Sequence, residues 1–480
     1  MSSMSVWLAR QGIVRPLAWG YLALLLFMVG DGVELGFLAP YLESRGFAAS
    51  DVATLVSVYG IVVAVAAWLA GALAEAWGPR RVMALGFAIW AAFEVVFLAL
   101  GVMAGNYPVM LVSYGIRGLG YPFFAYGFLV WVTMATPKEV IGRAVGWYWF
   151  ASTAGLGVVS SYFAGAVIPV VGELVTLWIS LAFILAGGLI LFFLVRARSR
   201  GAGEGAGAAA NLRQVVKGLT VVKTHPKVGI GGVVRIINTL CFYAFPVFVA
   251  SHMVHDVGFS LPQWQTIWGT MLFANIIGNV LSGYLGDRIG QINVVAWIGG
   301  VGCVIAVLAM YYVPEWLGPN FAAAMAVAIV LGLAMAAYVP LSAIVPLLAP
   351  SQKAAAVAIL NLGAGLSNAA GPVLARVFLG PLGVGGLMWL LAAVYAAGIG
   401  LTLLLRDGGR ARGEGDACPP EGQEGMMGER MLASENGSSP HGGQGAAGAG
   451  SPAALSARDD APRDRRATGA LAREGDPAAG

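Results

Sequence analysis

The sequence predicts an all-α membrane protein: twelve transmembrane helices in two six-helix, pseudo-symmetric halves, with both termini in the cytoplasm. Three observations predict it. Of the 480 residues, 58% are hydrophobic and only 11% are Asp, Glu, Lys or Arg, where an ordinary soluble domain carries about 25% charged residues. The apolar residues gather into runs long enough to cross a bilayer. A loop motif recurs in the two halves of the chain at one fixed offset.

A membrane helix needs about 20 largely apolar residues, because each rises about 1.5 Å through a hydrocarbon core about 30 Å thick. Twelve stretches qualify, at roughly 17–40, 52–76, 82–104, 108–134, 142–168, 173–195, 228–254, 264–285, 293–313, 321–348, 353–379 and 384–405. The first follows Arg10 and Arg15, as a signal peptide would, but it is too long for an h-region and carries Asp31 and Glu34. It is read as a retained helix. Orientation follows from the basic residues. With both termini inside, Arg10, Arg15, Arg80, Arg81, Lys138, Arg143, Arg288, Lys353 and seven residues between Arg196 and Lys227 lie on the cytoplasmic side, against Arg45 alone outside. Positive loops are retained in the cytoplasm.

The charge is uneven. Residues 1–405 hold 19 Lys and Arg against 12 Asp and Glu, net +7, and residues 406–480 hold 9 against 12, net −3. A body so poor in charge cannot cover itself with a water-compatible surface, which excludes a soluble enzyme and a nucleic-acid binder. Cys241, Cys303 and Cys418 are too scattered for a disulfide framework or a thiolate site. The four histidines lack metal-ligand spacing, so neither metal nor cofactor is expected. The chain divides into a first bundle at 1–195, a cytoplasmic linker at 196–227, a second bundle at 228–405 and a cytoplasmic tail at 406–480. The tail is rich in Gly, Ala, Glu and Arg and has no apolar period, so disorder is expected. Its sequon at Asn436 is a coincidence on the cytoplasmic side.

Between the second and third spans the chain reads Gly71-Ala72-Leu73-Ala74-Glu75-Ala76-Trp77-Gly78-Pro79-Arg80-Arg81. Between the eighth and ninth it reads Gly283-Tyr284-Leu285-Gly286-Asp287-Arg288-Ile289-Gly290, with the Gly, Leu, acid and Gly positions matched at an offset of 212. Turn chemistry alone would not place the acid identically in both halves. A carboxylate near a helix end can bond basic loop residues and helix termini and hold the cytoplasmic side shut. Gly71, Glu75, Gly78, Arg80 and Arg81, with Gly283, Asp287, Arg288 and Gly290, are therefore candidate gate residues. A repeat in parallel positions of two six-helix halves resembles the major facilitator transporters. The first copy departs from the usual pattern at Glu75 and Ala76, which implies a weaker latch.

Asp31, Glu34, Glu94, Arg117 and Arg235 lie within the expected spans. Each costs about 2.5–3.5 kcal/mol at a helix centre by insertion scales, so such groups face partners, cavities or pathways. Asp31 and Glu34 are three apart and share a helix face. Arg117, within Tyr114-Gly115-Ile116-Arg117-Gly118, needs an anion, and Asp31 or Glu34 is the natural one. Glu94 reads as a packed, protonated acid or an interface residue. Arg235 and Asn238 project together from the seventh helix. Asn275 and Asn279, Asn361 and Asn368, Tyr59, Tyr121, Tyr126, Trp147 and Trp149 complete an inventory of amides and aromatics. Amides donate and accept and rings pack against C–H surfaces, which suits a cavity for a neutral polyhydroxylated solute. The same residues taken singly are as well read as helix glue and core filling.

Gly30-Asp31-Gly32-Val33-Glu34-Leu35, Tyr114 to Gly118, Arg235-Ile236-Ile237-Asn238-Thr239 and Asn361-Leu362-Gly363-Ala364-Gly365-Leu366-Ser367-Asn368 resemble the bacterial polyol permeases over nearly the whole twelve-helix body. The resemblance implies import of ribitol- or arabinitol-like polyols with protons, by a monomer in the lipid bilayer of the cell membrane. In sugar–proton symporters more broadly, a helix-one Asp pairs with a helix-four Arg as the proton switch, and Asp31 and Arg117 match those positions. Asp31, Glu34 and Arg117 are thus expected to couple protons. Tyr59, Tyr121, Trp147, Trp149, Arg235, Asn238, Asn275, Asn361 and Asn368 are expected to bind solute.

Competing readings are a carboxylate symporter in which Arg117 and Arg235 hold the anion, a drug exporter, a membrane enzyme and a nutrient sensor. Helix five, Ser152-Thr153-Ala154-Gly155-Leu156-Gly157, lacks the Gly-Pro pair of drug exporters. No His, Cys or Ser/His/Asp cluster supports an enzyme. The orientation is testable by single cysteines in a cysteine-free background. Asp256→Cys should react with an impermeant thiol reagent in intact cells and Arg200→Cys should not; the reverse pattern inverts the topology.

Overall fold

A computed structural model describes residues 11, 13–137, 140–195 and 220–408. Most of the linker (196–219), nearly all of the tail (409–480), Lys138 and the three residues Asn436, Cys418 and Arg200 lie outside the described residues. The described residues belong to one compact unit, Met1–Gly413; a second unit, Glu414–Gly480, contains none of them. Among the described residues every regular element is a helix.

The first half contains α1 (Ala18–Gly32, resumed after a turn as Leu38–Ser44) and α2 (Ala49–Trp77). It continues with α3 (Pro79–Val102), α4 (Tyr107–Ala135), α5 (Ile141–Val171) and α6 (Glu173–Phe193). A short turn of helix at Val221–Thr224, inside the expected linker, leads to the second half. There follow α7 (Pro226–Val257), α8 (Leu261–Ile289), α9 (Gln291–Leu317) and α10 (Phe321–Leu347). The helical stretch Lys353–Leu403 holds α11 (353–382) and α12 (384–403), divided at Gly383, where φ is 67°. Nine helices among the described residues qualify as spans by length and apolarity. Three more crossings complete twelve. α1 is broken between Val33 and Phe37, α8 is 29 residues long but studded with Gln263, Gln265, Asn275, Asn279, Asp287 and Arg288, and Lys353–Leu403 is two spans joined.

Helix starts follow local chemistry. Asn106 and Asn320 cap α4 and α10 by accepting the N–H of Val109 and Ala323, and Ser260 with Gln263 forms a capping box on α8. The loop repeat is also a backbone repeat. Gly78 and Gly290 close α2 and α8 with φ of 92° and 91° and ψ of 136° and 132°, a conformation that L side chains rarely adopt. The outward faces are apolar: Val170, Phe193, Val280 and Trp316 are among the most exposed large side chains. That is the surface a bilayer solvates.

Packing has a two-fold logic. α1 lies on α6, α3 on α4, α7 on the Lys353–Leu403 stretch, and α8 on α10. The halves meet where α2 touches α11 and α5 touches α8, the second helix of each against the fifth of the other. At Gly60 of α2 an added Cβ would stand 2.1 Å from the carbonyl oxygen of Asn368 on α11, so only glycine permits this approach.

The halves bond each other at one end. Trp264 donates to the carbonyl of Gly36 (2.8 Å), Tyr162 and Thr270 share a hydrogen bond (2.7 Å), Arg376 donates to Thr54 (2.7 Å), and His255 lies 3.3 Å from the carbonyl of Pro40. At the end carrying the repeated loops, Glu75 and Asp287 are exposed. Gly71, Gly142, Gly146 and Gly283 have no neighbour within 4 Å of a built Cβ. Arg80 donates to the carbonyl of Phe192 within its own half (2.8 Å), and Arg288 lies over the ring of Tyr284 with its hydroxyl 2.5 Å away. Among the described residues no hydrogen bond or ion pair joins Glu75 or Asp287 to the other half.

Candidate functional site

Two glycines pin the acidic segment of α1. Gly30 lets Ser180 and Ile184 of α6 press against it, and Gly32 admits the carbonyl of Leu156 on α5, 2.0 Å from where a Cβ would stand. After Gly32 the helix gives way to turns over residues 33–37. Asp31 therefore sits at the end of the first helical segment and Glu34 in the turn.

Arg117, fully buried on α4, bonds both Glu34 and Glu94. Its NH1 lies 3.0 Å from Glu34 Oε2, its NH2 meets Oε1 of the same carboxylate, and NH1 also meets Glu94 Oε2. Tyr114 donates to Glu34 Oε1 at 2.8 Å. The guanidinium carbon stands 4.3 Å from the ring centroid of Tyr114, 4.8 Å from Trp90, and 5.5 Å from both Tyr59 and Phe97. An aromatic cage of this kind stabilises a desolvated cation. Within this cluster, Arg117 Nε and Glu94 Oε1 are buried with no hydrogen-bond partner among the described residues.

Asp31 does not hold Arg117, contrary to the expected pair. Its Oδ1 accepts from Trp90 Nε1 (2.7 Å) and from the hydroxyl of Tyr59 (3.0 Å), and Oδ2 has no hydrogen-bond partner among the described residues. The reason is positional. The turn after Gly32 points Glu34 towards α4, and Glu94 reaches Arg117 from α3, so the guanidinium is already saturated by two carboxylates. Glu94, which the sequence left between packing and interface, belongs to this cluster.

Between the halves lies a cavity of about 50 Å³, enough for a few waters and far below the 300–1,000 Å³ of a typical ligand pocket. Its polar lining comes from Asp31, Glu34, Tyr59, Tyr114, Tyr121, Tyr243 and Asn368; among the lining residues there is no cation. Tyr243 lies beside Asn368, whose Nδ2 donates to the carbonyls of Ala364 (3.4 Å) and Gly365 (3.3 Å), and Tyr121 stands 3.5 Å from Tyr126, hydroxyl to hydroxyl. Arg235 is half-buried on α7 with Tyr126 and Tyr243 in electrostatic reach. Asn238, its amide oriented so that Nδ2 donates to the carbonyl of Met335, accepts from Arg235 NH1 at 3.1 Å. Among the described residues no carboxylate lies within ion-pair distance of Arg235.

Of the expected solute-binding residues, Tyr59, Tyr121 and Asn368 line the cavity, and Arg235 and Asn238 lie together beside it. Asn361 is exposed one heptad from Asn368. Three fall elsewhere. Trp149 is 44% exposed on the outer face, Trp147 packs on Phe150 with its indole N–H 3.4 Å from Gln11, and Asn275 ties α8 to the carbonyl of Gly332. Trp149 turns outward and Trp147 is half-buried, while the fully buried ring between them is Tyr148. The sequence reading missed Trp90, Tyr114 and Tyr243. Trp90 precedes Glu94 by four residues and Tyr114 precedes Arg117 by three, the helical spacings that would have found them.

Residues 20–234 and 231–425 each match the model of the Major Facilitator Superfamily. The chain is 41% identical over 398 residues to an alpha-ketoglutarate permease of Bacillus subtilis (strain 168), covering 83% of this chain and 91% of that one. It is 37% identical over 396 residues to a D-arabinitol transporter of Klebsiella pneumoniae, covering 82% and 93%. The crystal structure of a nucleoside transporter superposes with a TM-score of 0.64 at 16% identity, covering 82% of this chain and 98% of that one; this likeness is one of fold.

The cluster makes a stability prediction. Arg117→Ala leaves Glu34 and Glu94 buried without their cation, a loss of about 3–5 kcal/mol for a broken buried pair. The melting temperature of the detergent-purified protein should fall by several degrees. An unchanged melting temperature would mean that the two acids are neutral without Arg117.

Proposed function

The chain belongs to the Major Facilitator Superfamily, and we propose on that premise that it is a proton-coupled symporter importing sugar alcohols of the ribitol and arabinitol kind. It is a multi-pass membrane transporter, not an enzyme. The observation that carries the substrate class is the cavity lining: tyrosine hydroxyls and an amide beside two carboxylates, with no cation. Hydroxyl-rich neutral solutes find donors and acceptors there, whereas an anion would face Asp31 and Glu34. The D-arabinitol transporter supports the same class.

The working cycle is alternating access by a monomer. In this reading the end carrying Glu75 and Asp287 is cytoplasmic, and the exposure of those two acids supports a conformation that opens inward. The gate loops latch when the halves rock and the opposite end parts. Asp31 is the coupling acid. Two donors fix its Oδ1, and Oδ2 takes a proton from the cavity when it faces outside and returns it when it faces inside. Glu34 and Arg117 form the fixed charge pair beside it.

A second reading has one specific observation in its favour. Among the described residues Arg235 has no carboxylate partner, and the alpha-ketoglutarate permease is also a relative, so a small carboxylate could sit against Arg235. Arg117 is not available for that role, being held by two acids.

Uptake in transport-deficient cells separates the readings. Labelled ribitol or arabinitol should accumulate, collapse with an uncoupler and be displaced by other polyols but not by carboxylates; accumulation of carboxylates alone would overturn the polyol assignment. Within the cavity, Tyr243→Phe and Asn368→Ala should each raise the apparent KM about tenfold, the loss of one hydrogen bond of about 1 kcal/mol or slightly more. Unchanged affinity in both variants would put them in packing. Asp31→Asn keeps shape and removes titration. Reconstituted vesicles carrying it should lose pH-driven accumulation while retaining solute counterflow, and persistent accumulation would move coupling elsewhere.

A further inference from the structure

α3 presents two side chains to the charge cluster from one face, Trp90 and Glu94, four residues apart. Neither lines the cavity. Trp90 joins the two halves of the cluster: its indole N–H holds Asp31 Oδ1 at 2.7 Å and its ring lies 4.8 Å from the Arg117 guanidinium carbon. Glu94 holds Arg117 NH1 through Oε2. Its other oxygen, like Arg117 Nε, has no partner among the described residues, so the Glu94 side of the pair is the less tightly held. Glu34, by contrast, grips Arg117 through both oxygens and is itself held by Tyr114.

Resting on the reading of Asp31 as the coupling acid, we propose that Trp90 and Glu94 are positioning residues that set its protonation in opposite directions. Glu94 draws the free edge of Arg117 away from Asp31 and keeps Asp31 without a cation. Trp90 supplies a hydrogen bond that the ionised Asp31 accepts. A shift of α3 relative to α1 within the first half, made as the transporter changes conformation, passes the NH1 group from Glu94 to Asp31. That exchange is what separates proton loading from proton release. The proton itself adds to Asp31 Oδ2 from water on one side and leaves to water on the other; no other bond changes.

The groups that face Asp31 are Glu34 on its own helix, Tyr59 from α2, Glu94 from α3, Tyr114 and Arg117 from α4, and Tyr243 from α7. α5 and α6 meet this stretch of α1 with Leu156, Ser160, Ser180 and Ile184, which do not titrate. The competition for Arg117 therefore involves Asp31, Glu34 and Glu94 alone among the carboxylates.

The test is the pH profile of initial polyol uptake in reconstituted vesicles, measured for the full chain and three variants. Glu94→Gln removes the competitor and a like charge, so the half-maximal pH should move down by about 1–3 units, the effect of an opposite charge brought to a carboxylate. Trp90→Phe keeps an aromatic face over Arg117 and deletes the donor, so the half-maximal pH should move up. The apparent KM at each optimum should stay within about threefold, which a general loss of packing would not produce. Opposite shifts support the proposal. Superimposable profiles, shifts of one sign, or a common fall in expression and rate without a shift overturn it. Asp31→Asn is the control. If it abolishes pH-driven uptake while the other two variants show no opposed shifts, only the role of α3 falls. If it leaves pH-driven uptake intact, the coupling reading and the proposal fall together.

Discussion

A guanidinium sealed from water inside a membrane bundle must be neutralised where it sits, and the first half is organised around that requirement. Arg117 is wholly buried, and α1, α3 and α4 each supply a group to it: Glu34, Glu94 and the ring of Tyr114. Two carboxylates on one cation leave the triad one negative charge in excess when both are ionised, and Asp31 alongside adds another. Uncompensated charge at this depth costs several kcal/mol, so the cluster has a standing reason to hold protons. The aromatic cage sharpens the effect. Tyr59 and Trp90 exclude water from the cation and at the same time bond the one acid that has no cation of its own. Stability of the bundle and readiness to bind a proton come from the same four helices.

The second constraint is close backbone approach. Gly60 against the carbonyl of Asn368 brings the two halves together, and Gly32 against the carbonyl of Leu156 brings α1 and α5 together within the first half, where no side chain could intervene. Each contact is adjacent to a chemical group: Asn368 lines the cavity, and Gly32 lies between Asp31 and Glu34. Close packing is bistable rather than compressible. Among the described residues, the halves that bond through Trp264, Tyr162 and Arg376 at one end have no counterpart bonds at Glu75 and Asp287.

Much of this was legible in the sequence because it depends on periodicity and repetition. Apolar run length marked the twelve crossings, and the offset of 212 between Gly78 and Gly290 corresponds to matched backbone angles. α8 was found by the same rule despite its amides. Side-chain pairing was less legible. Asp31 and Glu34 share a face in an ideal helix, but the turn after Gly32 separates their directions, and only Glu34 reaches Arg117. The tertiary position of α3, which brings Trp90 and Glu94 to the cluster, leaves no trace in local pattern. Trp147 and Trp149 failed for the converse reason: an aromatic on a membrane helix has two apolar environments to choose from, and composition does not distinguish core from lipid.

Charge decides what such a cavity accepts. Two unit charges about 4 Å apart repel by about 4 kcal/mol at the effective dielectric typical of protein sites. An anion entering beside Asp31 and Glu34 meets that repulsion unless protons arrive first or a cation moves in. Arg117 cannot move in without abandoning Glu34 or Glu94. Arg235 is the remaining candidate, and it lies beside Tyr126 and Tyr243 outside the cavity wall, bonded to Asn238. A neutral polyol faces neither obstacle. Its hydroxyls can donate to the carboxylates and accept from Tyr121, Tyr243 and Asn368, and protonation of Asp31 converts one acceptor into a donor without changing the shape of the site. On the proposed reading, hydrogen-bond geometry selects the solute, and Asp31 in the same wall ties the proton to the same few atoms.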